Sequence, residues 1–233
     1  MTRTEMHDEF KFLMDKADSS AAPSFLADEI DRLLNIAQHK FITKRAFGNN
    51  IRGTSFEEDQ KRRDDLRTLV KNEVISTVVD SANTKPNGFF FALPDDYRHS
   101  INEEAEISTA DVNASSRRVS VTPITHDRYN KIIDDPFNKP GKDTVYRLDF
   151  GGASNGSHIE LITGDGQQVD KYHLRYLSEP PQIGVKTADN ETQTCVLPDH
   201  THRELIRMAV VDALETVEQP RYQSSKIELN ELE

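Results

Sequence analysis

Leu197–Gln223 reads LPDHTHRELIRMAVVDALETVEQPRYQ, a helix with a marked start and a hard stop at Pro220. Proline lacks an N–H and its ring clashes with the preceding turn, so the helix cannot run through it. Winding the segment at about 100° per residue places Leu205, Ile206, Ala209, Val210, Ala213, Leu214 and Val217 on one broad arc. That arc is wide enough to bury the helix in a core. Met208 and Val211 fall on the opposite arc, among Glu204, Arg207, Glu215 and Glu218. A second partner surface is one reason for apolar residues there, and it makes Met208 and Val211 candidate interface residues. Scattered exposed apolar residues, of the kind most protein surfaces carry, are the other reading, and it stays open.

The closing helix needs long apolar stripes to meet, and the first third of the chain supplies them. Glu5 to Ala17 carries Phe10, Leu13, Met14 and Ala17 at helical spacing. A second helix opens at Pro23-Ser24, with Asp28 and Glu29 near its start, where the helix dipole favours acids. Its stripe is Leu26, Ile30, Leu33, Leu34, Ala37 and Phe41, and Gly48-Asn49-Asn50 ends it. Thr54 with Glu57, or Ser55 with Glu58, has capping-box spacing for a third helix. That helix is charged through Arg63 and then carries Leu66, Leu69, Val70, Val74 and Val78.

Lys85-Pro86-Asn87-Gly88 marks a change of period from helical toward two. Strands are predicted over Phe89–Leu93, Arg117–Ile124, Thr144–Phe150, His158–Thr163, Lys171–Leu177 and Thr192–Leu197, with one short helix over Thr125–Asp135. Gly164-Asp165-Gly166 reads as a hairpin turn between two of these strands. The predicted fold is therefore α+β: a helical bundle, made of the N-terminal helices and the closing helix, with an inserted antiparallel β domain. The expected divisions are residues 1–85 for the helical part, 86–197 for the β domain, 198–220 for the closing helix and 221–233 for a C-terminal arm. Arg221 and Tyr222 lead into that arm. Its alternation, with Ile227 and Leu229, suits strand addition at a neighbour's sheet edge, so these four residues are further interface candidates. Disorder is the other reading of the arm.

Composition narrows the function classes. The chain has 233 residues, 35% hydrophobic and 30% charged, with no Trp and a net charge of −11. Its length allows one large domain or two small ones. Its acidity argues against a dedicated grip on nucleic acid, which needs clustered Lys and Arg, and against an anionic membrane surface. No apolar run approaches a membrane span. Cys195 is the single cysteine, which excludes an intrachain disulfide and a Cys-rich zinc site. The N-terminal stretch lacks a signal-peptide core. The expectation is a protein made and used in a reducing cytoplasm, or in something assembled there.

No constellation supports chemistry. Asp199, His200 and His202 suggest a metal site, but residues two apart in a first helical turn point to different sides. Asp199 or Thr201 is the better helix cap, since Thr201 and Glu204 have capping-box spacing. The pairs Asp95-Asp96 and Asp134-Asp135 sit beside Pro and aromatic residues, as turns do, with no partner base nearby. Gly151-Gly152 and Gly164-Asp165-Gly166 lie between strands, so no helix N-terminus follows to cradle phosphate. The expectation is no catalytic residue, no metal and no cofactor.

Several segments together resemble the head–tail connector proteins of phages, those of the crAss-like type in particular. They are DEFKFLMDKADSSAAPSFLADEIDRLLNIAQHKFI, FALPDDY over Phe91–Tyr97, DDPFNKPGKDTVYR, YHLRYLSEPPQI and the closing helix with its stop. The resemblance covers most of the chain in order. It implies a structural virion protein without an active site, similar to the adaptor rings below the portal, commonly of twelve copies. Its implied partners are itself, the portal protein, adjacent tail or ring proteins, and double-stranded DNA that passes through the channel without specific binding. A negative channel wall would repel DNA phosphates and let the duplex slide. The rival reading is a soluble monomeric binding module that uses the β domain for ligand or protein recognition. An enzyme comes third.

Overall fold

The computed structural model describes residues 1–15, 25–47, 57–76, 87–109, 116–151, 157–186, 192–217, 222–223 and 226–227. Their elements, in chain order, are α1 (Arg3–Asp15), α2 (Ala27–Ala46), α3 (Gln60–Leu66), β1 (Val70–Ile75), β2 (Gly88–Ala92), β3 (Tyr97–Thr109), β4 (Arg117–Pro123), α4 (His126–Asp134), β5 (Val145–Gly151), β6 (Ser157–Ile162), β7 (Gln167–Ser178) and α5 (His202–Thr216). The chain divides into two compact units, one of residues 1–69 with 180–233 and one of residues 70–179.

The largest single assembly is a seven-stranded sheet in the order β1-β7-β3-β4-β5-β6-β2. Five helices accompany it among the described residues. The expected helical bundle with an inserted antiparallel β domain is therefore corrected. Two physical facts account for the difference. The pair β4–β5 is parallel, which a two-residue hairpin cannot join and a helical crossover can; α4 is that crossover, so the sheet is mixed. The third helix, expected over residues 54–80, ends at Leu66. Asp59 caps it, accepting from the Lys61 N–H at 3.0 Å, whereas Thr54 and Ser55 lie outside the described residues. From Val70 the chain pairs with β7, Val70 opposite Leu177 and Ile75 opposite Tyr172. Val70 and Val74 fit a helical period of four equally well, but β-branched side chains favour a pleated surface.

The sheet curls. Between β6 and β7 lie β5, β4 and β3, so in a flat sheet these two strands would be about 19 Å apart. Yet residues 163–166 alone connect them, and they do so as a tight turn in which Gln167 N–H donates to Gly164 O at 3.2 Å. The turn read from Gly164-Asp165-Gly166 is present, with Gly166 at φ +75°. The hairpin is not, because β6 pairs with β5 and β2 while β7 pairs with β3 and β1.

The inner face holds Phe91, Ala105, Ile107, Val119, Val121, Val145, Ile159, Leu161, Tyr172, Leu174 and Tyr176. Alternation then turns Leu148 and Ile162 to the other face, where Tyr129 of α4 covers them. The segment Thr192–Leu197, expected as a strand, makes only a bridge between Thr192 and Lys186.

In the other unit α5 packs against α2 and α1, and α2 against α3. Its core includes Met6, Phe10, Ile30, Leu34, Ala37, Phe41, Leu205, Ile206 and Ala209, all buried. Glu29 reaches back to the Leu26 N–H at 2.8 Å, which fixes the start of α2.

Candidate interaction surfaces

The placement of α5 decides what its two apolar sides do. Lys40 of α2 pairs with Asp212 at 2.7 Å, and Arg45 of α2 pairs with Glu204 at 2.7 Å. Glu204 and Asp212 are eight residues apart on α5 with Met208 midway, so the side that carries Met208 is turned to α2. Met208 and Val211 are each only 8% exposed. The reading that placed them on an outward arc is thus corrected: two helices pack on α5, and its second apolar side is filled within the chain.

Polar residues beside α5 form a buried cluster. Arg45 also lies 3.1 Å through Nε from Asp65 Oδ2 of α3, close enough for an ion pair though not aligned as a hydrogen bond. His200 Nε2 meets the other Asp65 oxygen at 2.9 Å. Buried His202 donates from Nε2 to Leu197 O at 2.8 Å. The two imidazoles therefore serve different partners. The expected capping box at Thr201 is absent, because its hydroxyl donates to Pro198 O and Glu204 is held by Arg45. Burial lowers the pKa of His202, with the bond to Leu197 working against it.

A second cluster ties α1 to α2. Asp31 accepts from Arg3 Nη2 at 2.5 Å and lies 2.7 Å from His7 Nε2. Burial pushes the Asp31 carboxyl up, but the bonds and charges of Arg3 and His7 outweigh it and hold it below its ordinary value. Gly184 sits against this carboxylate at φ +88°, and a Cβ there would lie 2.3 Å from Asp31 Oδ2.

In the sheet unit Glu103 of β3 pairs with Arg147 of β5 and accepts from the Tyr172 hydroxyl of β7 at 2.9 Å. Burial, reinforced by Glu103, drives the Tyr172 pKa far above its usual range. Of the Asp95-Asp96 pair, Asp96 bonds Lys71 and the Tyr176 hydroxyl. Asp135 closes a turn by accepting from the Phe137 N–H and Asn138 Nδ2. Both acids therefore do structural work. Cys195 is buried, which pushes its thiol up to about 11 and leaves it a poor nucleophile at neutral pH.

Of the tail candidates, Arg221 and Leu229 lie outside the described residues. Tyr222 and Ile227 are helical, and Lys226 Nζ lies 5.4 Å over the Tyr222 ring, four residues away. Helix is thus recorded at four residues of the arm, and the rest of the segment expected to add as a strand lies outside the described residues. Ile227 is 61% exposed. Reasoning from sequence also missed Arg45, Asp65 and Glu103, whose partners are distant along the chain.

A family model described as phage tail ring protein 3/4 matches residues 1–224. Ring protein 3 of Bacteroides phage crAss001 is 30% identical over 223 residues, covering 90% of this chain and 94% of that protein.

Proposed function

The chain belongs to the phage tail ring protein 3/4 family, and from that premise we infer that it assembles as a closed homo-oligomeric ring in the portal–tail vertex. Membership makes it a structural component of the virion tail. The observation that carries the finer reading is the span of the match: residues 1–224 take in both compact units, so the whole architecture is the family's.

In this reading twelve copies stack below the portal protein, contact adjacent ring or tail proteins, and surround the channel through which the genome passes. Assembly takes place in the host bacterial cytoplasm. A charge of −11 per copy supports a wall that double-stranded DNA slides past without being gripped. The residues after the stop at Pro220, with Arg221, Tyr222, Ile227 and Leu229, serve ring closure or docking of the adjacent ring. The protein acts by shape and contact, and catalysis has no part in this proposal.

Size-exclusion chromatography with light scattering, alone and with portal protein, tests the reading. Assembly into a multimer of defined copy number, or capture by portal protein, is the expected result. A persistent monomer that also fails to bind portal protein would favour a soluble binding module.

A further inference from the structure

Phe137 is 95% exposed, the most exposed large apolar side chain among the described residues. Isolated exposed apolar residues are common, but the loop beneath this one is built. Its own N–H donates to Asp135 Oδ1 at 3.0 Å, Asn138 Nδ2 donates to Asp135 Oδ2 at 2.6 Å, and Lys139 N–H donates to Asp135 O at 3.0 Å. The Tyr146 hydroxyl holds Asn138 O at 2.7 Å, and Pro140 is buried. The ring is therefore held in water by backbone that has already lost its freedom. An aromatic presented in this way loses little further entropy on docking, and buried aromatic anchors dominate interface energies. Exposed Lys139 and Lys142 flank it, and of the acids in the same loop Asp135 is taken up by the turn and Asp143 by Arg117 at 2.6 Å, which leaves exposed Asp134 beside the two lysines.

The other unit carries the complement. Glu5, Asp8 and Glu9 of α1, with the half-exposed Phe12, line an open cleft of about 970 Å³ beside Arg203. Asp8 and Glu9 form no salt bridge among the described residues. Copies of a chain with net charge −11 repel one another, so a local match of basic on acidic surface favours the contact that has it. The lysine-flanked aromatic and the acidic aromatic cleft supply it. They are different patches, and a contact between different patches is head-to-tail, the kind that generates rings.

We propose that Phe137 of one copy, with Lys139 and Lys142, seats in the α1 cleft of the next copy against Phe12, Asp8 and Glu9. This inference rests on the ring reading above. The test places a benzophenone photo-crosslinking residue at position 137 in the full chain and mixes heavy- and light-isotope protein before irradiation. Heavy–light cross-links to peptides containing residues 5–12 are expected. Cross-links confined to other segments would overturn the proposal.

Phe137→Ala should leave the thermal melt unchanged, because the ring touches solvent, and should weaken self-association by roughly 30-fold. The reversals Lys139→Glu with Lys142→Glu should weaken it too, and Asp8→Lys with Glu9→Lys should restore it. A wild type that assembles beside a Phe137→Ala variant that assembles equally well refutes this contact and leaves the ring reading standing. A wild type that never self-associates removes both.

Discussion

Replacing Arg45 with Met tests the packing of α5 most sharply. The Arg45 side chain is 3% exposed and meets Asp65, itself 2% exposed, and Glu204, 16% exposed. Removing the cation leaves the buried Asp65 carboxylate and the part-buried Glu204 carboxylate without their shared counter-charge. Breaking a buried ion pair by deleting one partner costs about 3–5 kcal/mol. His200 remains 2.9 Å from Asp65 and Glu204 can reach water, which places the loss at the low end. The guanidinium also lies 5.1 Å over the Phe41 ring, adding up to about 1 kcal/mol. The total of about 3–4 kcal/mol corresponds to a drop of roughly 10–15 °C in the melting temperature of the helical unit. Urea unfolding followed by the helical far-UV circular dichroism band reads this, because α1, α2, α3 and α5 all belong to that unit. The triple variant Arg45→Met, Asp65→Leu, Glu204→Leu should recover most of the loss, since an apolar set replaces the buried charges. A single variant within about 1 kcal/mol of wild type, or a triple variant less stable than the single, would show that this cluster does not hold α5 to α2 and α3.

Met208→Glu should destabilise the chain by roughly 3 kcal/mol or more, because it buries an unpaired carboxylate; an unchanged urea midpoint would show that this side of α5 faces solvent after all. Gly184→Ala should cost about 2 kcal/mol or more, since it combines a left-handed backbone with a collision against Asp31; thermal melts check it. The folded-state pKa of His202 lies below its ordinary 6.5, so its contribution to stability is complete above that value and is lost as pH falls through it toward the depressed folded value. An NMR titration placing the His202 midpoint at or above 6.5 would contradict that environment. For Asp31, also depressed, stability is present above 3.8 and lost as pH falls below it, and Asp31→Asn should flatten that acid limb.

How far the sequence carried the fold depends on the range of the interactions involved. The stripe Ile30, Leu34, Ala37, Phe41 repeats locally and yields α2, and the alternation of Tyr172, Leu174 and Tyr176 yields β7. Local patterns mislead where a partner strand decides. Val70 and Val74 match a helix period, yet β7 recruits them. Tyr97–Thr109 went unread because its acids obscure the short alternation Ala105, Ile107 against Glu104, Glu106. Met208 and Val211 looked outward on a wheel with one buried arc, and only the positions of α1 and α2 give α5 a second. The order of the strands and the parallel β4–β5 pair are set by long-range contacts that no local period encodes. Phe137 was visible in the sequence as a residue but not as a projection, since its exposure depends on the turn closed by Asp135 and Tyr146.

Whether this chain forms a ring in the tail is measured directly by a cryo-electron microscopy reconstruction of the virion's portal–tail vertex. The expected result is a closed ring of identical copies around the tail axis, into which each of the two units fits. Density showing the chain as an isolated copy away from the axis, or its absence from DNA-filled particles, would contradict it.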